Sequence, residues 1–285
     1  MLKSTSCLLI LGAVACFSAR PALAVDYEAP FRDNAPALLQ HDAQAALKAN
    51  PKDAAAWAWM ARALYEQGQF DAAQYALNKA GNGREALLAR GDYALFVGEF
   101  PAAIDYYTQA QKLAKDDVNA AWGIAAATLR SNQYDKAYEL AKAALPAATK
   151  AGPFWQSRVL VVLGGAQGLK ANLGNLMEKI HYGPGVKGTL EQAVSVYPRN
   201  ADAQMALGRF YLEAPGVIGG DPAKSLPYLE KAVGMQPYDY EIVAWYIRGL
   251  VANHQNAKAR EALADYHKKF LREPEALREV TNIHA

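Results

Sequence analysis

Thiol chemistry has almost no material to work with in this chain. Its only two cysteines, Cys7 and Cys16, fall within the first 24 of 285 residues. Once that segment is removed, no disulfide, thiol nucleophile or cysteine metal site is available. Histidine is equally thin: His41, His181, His254, His267 and His284 are scattered, with no His-x-x-x-His or HExxH spacing. No metal centre or cofactor is therefore expected. A G-x-S-x-G nucleophile elbow is missing too, and a catalytic role is not expected. An excess of one charge is also absent, because Lys3 and Arg20, the only charged residues among the first 24, account for the whole formal charge of +2. The neutral remainder argues against nucleic acid or an anionic membrane surface as a partner. No uncharged apolar run approaches the roughly 20 residues that a membrane-spanning helix requires.

What the first 24 residues do contain is an export signal. Lys3 precedes an apolar run over residues 8–14, and Ala22-Leu23-Ala24 supplies the small-x-small pattern of a cleavage site. The expectation is a signal peptide over 1–24 and a periplasmic mature protein. A lipid anchor at Cys16 is the competing reading, weakened because Ala13 stands where a lipoprotein site carries Leu.

Beyond residue 24 the chain is rich in apolar residues at helical spacing, 52% hydrophobic overall. Residues 25–34 read as an extended lead-in. A half-unit over 35–51, with Leu38, Leu39, Ala43, Ala46 and Leu47 at helical spacing, precedes a series of paired helices. The clearest pair starts at Asn200. Leu207, Gly208, Tyr211, Leu229, Ala232 and Pro237 follow the order L-G-x-x-Y … L-x-x-A … P, which resembles a tetratricopeptide repeat (TPR) unit.

Near-matches recur in register along the chain. Units one to three cover 54–145, with Trp57, Gly68 and Ala73, then Gly91, Gly98 and Ala103, then Ala125, Tyr134 and Ala137 at corresponding places. The segment from Pro146 to Pro153 is expected to interrupt the helical pattern. Units four to six cover 157–273, and residues 274–285 read as a closing helix. The resemblance implies an all-α solenoid of about six hairpins with a capping helix at each end.

Two inserts lie between the helices of neighbouring hairpins, residues 168–188 in unit four and 214–221 in unit five. Both are expected as Gly-rich loops emerging, and able to meet, on one edge of the solenoid. His181, Tyr182 and Lys187 fall in the first; Gly219, Gly220 and Asp221 fall in the second. The two glycines suit a tight turn of positive φ, and Asp221 with Pro222 suits a helix start. GVIGGD lacks the preceding strand and following Lys-Ser or Lys-Thr of a nucleotide loop. The stretch from AQGLKAN to GVIGGDPAKS resembles a bacterial family of exported TPR proteins with an elongated hairpin before an FY-x-x-AP-x-x-x-GG unit. Its turn is also similar to one in the TPR subunit of some periplasmic TRAP-type transporters.

In the TPR family the ninth place of each unit faces the concave side, and here it holds Arg62, Arg209 and Arg248, but Asp92 in unit two. A row of guanidinium groups suits an anionic group or a peptide end; the arginines could equally be solvated or pair with local acids. Trp59, Trp122 and Trp245 fall near the same face, as packing or as a binding platform. The Lys and Asn of a carboxylate clamp are replaced by Ala58 and Arg62, so clamp-type recognition is not implied. The expected function is a non-catalytic scaffold or adaptor for a protein or peptide partner, able to join a membrane complex. The alternative is a solute-handling accessory subunit of a transporter, which requires a continuous cavity where a scaffold requires an open groove. Mass spectrometry of the exported protein should find Val25 as its first residue; an acylated Cys16 would contradict the cleavage site.

Overall fold

A computed structural model describes residues 25–269, and the expected signal segment and closing helix lie outside them. All described regular structure is helical. A short helix α1 (Glu28–Arg32) leads into α2 (Pro36–Ala49), and six hairpins follow: α3 (Ala54–Glu66) with α4 (Phe70–Lys79), α5 (Arg84–Phe96) with α6 (Phe100–Leu113), and α7 (Val118–Arg130) with α8 (Tyr134–Ala151). The remaining three are α9 (Pro153–Leu173) with α10 (Leu176–Val196), α11 (Ala201–Glu213) with α12 (Pro222–Met235), and α13 (Tyr240–Ala252) with α14 (Asn256–Lys269). The hairpins match the expected number and order.

Local chemistry sets the helix boundaries. Asp53, Asp117, Asn200 and Asp239 cap α3, α7, α11 and α13 by accepting backbone N–H bonds of the first turn, satisfying donors the helix itself cannot. The short turns reverse through a left-handed residue: Gly68, Gly98, Asn132 and His254 all have positive φ. Small residues, mainly alanines with no exposed surface such as Ala61, Ala73, Ala103 and Ala137, fill the helix contacts. They let the helices of a hairpin approach closely.

Three sequence expectations need correction. The lead-in is not wholly extended: Asp26 accepts N–H bonds from Glu28 and Ala29 and starts α1, whose first turn tolerates Pro30. Helix α8 does not break at Pro146 but continues to Ala151. Pro146 and Lys142, whose carbonyl loses its partner, lie on the exposed side, where water replaces the missing bond. Residues 168–188 are not a loop, because α9 and α10 extend through them to 21 residues each. Only Gly174 and Asn175 turn the chain, and Asn175 with Glu178 forms a capping box that restarts the helix. Packing between the two long helices outweighs the helix-weakening glycines. The second insert is a loop, with a single 3-10 turn over Gly216–Ile218.

The first helices of successive hairpins contact one another, α3 with α5, α5 with α7, and onward to α13, which forms the inner wall of a superhelix. Between α5 and α7 stands Tyr107, fully buried. A Cβ on Gly91 or Gly123 would lie 2.7 or 2.4 Å from its ring, so these two positions exclude any side chain. The Tyr107 hydroxyl donates to Asp92 at 2.6 Å.

The superhelix also closes on itself. Tyr240, at the start of α13, meets Phe96 of α5 edge-on at 5.2 Å between ring centres, and its hydroxyl donates to the Phe96 carbonyl. Arg130 of α7 pairs with Glu241 at 2.6 Å. On the other side Asn34 donates to the Arg199 carbonyl at 2.6 Å and accepts from Gln236 at 3.2 Å. The Tyr197 hydroxyl donates to the Arg32 carbonyl at 2.9 Å. Residues at both ends of the array thus meet across what would otherwise be an open groove.

Gly123→Ala should destabilise the protein by about 1–3 kcal/mol in urea unfolding, since Tyr107 has no free space to move into. Gly234→Ala on α12, where a Cβ meets nothing within 4 Å, should be neutral or stabilising by up to about 1 kcal/mol.

Candidate functional site

Ring closure turns the concave face into a chamber of about 920 Å³. That lies within the roughly 300–1,000 Å³ of small-molecule sites. Its wall comes from α3, α5, α7, α9 and α11, with α10 on one side and the start of α13 on the other. The lining residues follow a register. Helices α3, α5, α7, α11 and α13 are each 13 residues long, and the thirteenth place supplies Glu66, Phe96, Arg130 and Glu213 to the wall. The second place supplies Asp202 and Glu241. Places two, nine and thirteen share one helical face.

Arg62 is the most deeply placed of the expected contact residues and has no exposed surface. Its Nε donates to Asp92 at 2.7 Å, and Glu85 lies 3.5 Å from Nη1. Its guanidinium stacks 4.2 Å from the Trp59 ring centre, with Phe31 at 5.5 Å. Burial opposes the charge, but Asp92 and Glu85 outweigh it and raise the pKa further, so Arg62 stays a cation. The neighbouring hairpin step repeats the device, Arg84 donating to Asp117 at 2.6 Å.

Burial acts in the opposite sense on the chamber carboxyl groups. Desolvation pushes Glu66 up to about 8, with Arg158 pulling it down and Asp92 adding to the rise. Asp239 rises to about 7 through desolvation, reinforced by Asp202 and Glu241. Asp202 is raised by burial against the pull of Arg158. Glu66 and Asp202 retain some accessible surface, which is the surface they present to the chamber.

The expected concave-face residues separate into three groups. Arg62 and Trp59 are sealed inside the wall, so they position it and are not contact residues; burial beside Asp92 and under α1 is the reason. Trp122 and Arg209 line the chamber. Trp122 carries Arg158 on its face, 3.5 Å from the ring centre, while Arg209 pairs with Glu213 at 2.7 Å. Arg209 and Arg248 both lie against Trp245, at 4.5 and 4.7 Å from its ring centre. Trp245 itself is buried, so it acts as packing for the pair.

The two inserts do meet, as helix against turn. Lys187, on α10, comes within 3.3 Å of the Cβ position of Gly219 and lies over Tyr211 at 5.6 Å. Gly219 takes the left-handed conformation at φ 99°. Gly220 does not; a Cβ there would lie 1.7 Å from the Ala214 carbonyl oxygen, so its glycine is required by space. Asp221 caps α12 through the Ala223 N–H, and bonding to Lys224 holds its pKa below the ordinary value. His181 is exposed and meets Tyr182 edge-on, and Tyr182 packs on Tyr138 and over Lys170. Leu173, Leu176, Met177 and Ile180, each at least 61% exposed, make the hairpin tip apolar.

Sequence profiles of the tetratricopeptide repeat match residues 35–83 in one form, and 88–153 and 187–240 in another. The chain belongs to the tetratricopeptide repeat family. Among solved structures it is similar to a thermophilic TPR protein of Thermus thermophilus, at 17% identity and TM-score 0.55 over 70% of this chain and 97% of that one. A TPR protein from Parabacteroides merdae gives 13%, 0.52, and 90% and 94% coverage. Human IFIT1, in a dimer with PPP-AAAA, gives 16%, 0.58, and 87% of this chain against 61% of its own. These likenesses show the fold. No curated protein matches the sequence significantly.

Among the described residues of this TPR protein, no three His, Cys, Asp or Glu side chains are grouped to hold a metal ion, and no helix is long and apolar enough to cross a membrane. Sequence reasoning at the ninth place missed Arg158, Glu66 and Asp202. The recurring charged residues at places two and thirteen would have pointed to the last two.

The raised carboxyl groups set a pH dependence. Their protons are held more tightly in the folded than in the unfolded chain, so the stability they contribute is present at about pH 4 and lost as pH rises through 7 to 8. Thermal unfolding of the TPR domain should show its midpoint falling between about pH 5 and 8. Glu66→Gln should flatten that fall, and an unchanged slope would refute the assignment.

Proposed function

We propose that this protein is an exported, non-catalytic TPR adaptor that takes a ligand into its concave chamber and meets a protein partner along the edge of its elongated hairpin. The ring closure through Tyr240, Phe96, Asn34 and Gln236 is the observation that carries this reading. An extended partner chain lying along an open groove needs Arg62 and Trp59 exposed, and both are buried. The continuous chamber instead favours a solute-handling role, in the manner of an accessory subunit of a periplasmic transporter.

The turn over residues 214–221 supports the transporter setting through its resemblance to the TRAP-associated subunits. The export signal in residues 1–24 supports the compartment. The exposed apolar tip around Leu176 and Met177 supplies a surface for the protein partner, because such clusters on a soluble chain usually mark interaction sites.

Native mass spectrometry of the protein isolated from the periplasm should reveal an adduct of a few hundred daltons. Gly168→Leu should remove that adduct without unfolding the chain, since Gly168 lines the chamber and a Cβ there meets only Val186, at 3.7 Å. An adduct retained at full occupancy in the variant, or absent from the native protein, would count against a ligand in the chamber.

A further inference from the structure

The ion pairs of the chamber wall leave a specific remainder. Arg130 is paired with Glu241, Arg209 with Glu213, and Arg199 with Asp33. Asp92 is taken by Arg62 and Tyr107, and Asp239 accepts the N–H bonds of its own helix. Four charged side chains of the wall have no ion pair or hydrogen bond among the described residues: Lys179, which is exposed on α10, and the partly buried guanidinium of Arg158 and carboxyl groups of Glu66 and Asp202. The last three come from α9, α3 and α11, and all line the one chamber.

Their geometry differs from that of a collapsed salt bridge. The charge of Arg158 acts on both Glu66 and Asp202, yet neither carboxylate touches it. Arg158 is held instead on Trp122, with the rings of Phe154 and Phe31 at 5.4 and 5.8 Å. Stacking uses the face of a guanidinium and leaves its N–H edge available for a carboxylate. Its Nε is buried and without a partner, a state that costs free energy until an acceptor arrives.

We infer that the chamber binds a basic amino acid, or a short peptide containing one, with its carboxylate on Arg158 and its two cationic groups on Glu66 and Asp202. Apart from the exposed Lys179, one cation and two carboxyl groups on the wall are complemented by one anion and two cations on the ligand, whose approach favours the charged form of both carboxyl groups. Tyr65, Phe96 and Trp122 offer aromatic surface to the ligand's aliphatic stem. An anionic ligand would leave both carboxyl groups facing added negative charge, and a simple diamine would leave the Arg158 N–H edge unmet. The inference rests on the chamber reading above and gives it a ligand class.

Isothermal titration of the mature protein with L-lysine, L-arginine, cadaverine, norleucine and glutamate tests it. Lysine or arginine should bind at least tenfold more tightly than cadaverine, which lacks the carboxylate, and norleucine, which lacks the side-chain ammonium. Arg158→Met should erase the preference for lysine over cadaverine. Glu66→Gln and Asp202→Asn, close in shape to the native residues, should reduce lysine to the level of norleucine while far-UV circular dichroism stays unchanged. No heat with lysine or arginine, equal binding of cadaverine or norleucine, or a preference for glutamate would overturn the ligand class. A mass adduct lost in Gly168→Leu, with no binding in this panel, would overturn the class and leave the chamber reading intact.

Discussion

A guanidinium with no contact to water must find its counter-charge inside the protein, and Arg62 finds it on the neighbouring hairpin in Asp92. Removing one member of such a pair costs about 3–5 kcal/mol, because the other is left buried and uncompensated. Asp92 is fixed in turn by the Tyr107 hydroxyl, and Tyr107 fits only because Gly91 and Gly123 carry no side chains. Units one and two are therefore held in register by one buried polar network, and unit three seats against its tyrosine at Gly123. Small residues alone would allow the helices to slide.

The same cation organises the N-terminal segment. Trp59 and Phe31 cover its face, which draws α1 onto the concave side and places Asn34 where it meets Arg199 and Gln236. Tyr240 and Glu241 complete the seam against Phe96 and Arg130. A groove that would be open in an extended solenoid becomes a chamber. Inside it the reduced hydration raises the carboxyl groups and strengthens every charge interaction available to a ligand. Export, a solute ligand and a partner on the hairpin edge form one proposal, in which the chamber handles the ligand and the exterior handles the partner.

Much of the architecture was legible because it is local. Helical periodicity and the small and aromatic residues recurring at matching offsets gave six hairpins in register, and Asp221 with Pro222 marked the start of α12. Residues 168–188 were misread because five glycines and a proline outweigh helix propensity on paper, whereas contact between α9 and α10 decides in the fold. Pro146 was misread for a related reason, since its cost is small on a solvated face. Arg62 looked like a contact residue because position alone cannot say whether a neighbouring unit supplies an acid, although Asp92 at the equivalent place was already visible. The seam could not be read at all. It joins residues far apart in the chain, such as Phe96 and Tyr240, 144 positions apart, and repeat periodicity carries no information on such contacts.

The most direct test of the account is the distance across that seam. With Cys7 and Cys16 replaced by serine, spin labels at Gln69→Cys and Gly234→Cys would report it by double electron–electron resonance, since Gly68 lies against Tyr238 in the closed ring. One narrow, short distance population is predicted for the unliganded protein in solution. A broad distribution extending to long distances would mean an open solenoid without a chamber, and would contradict the account.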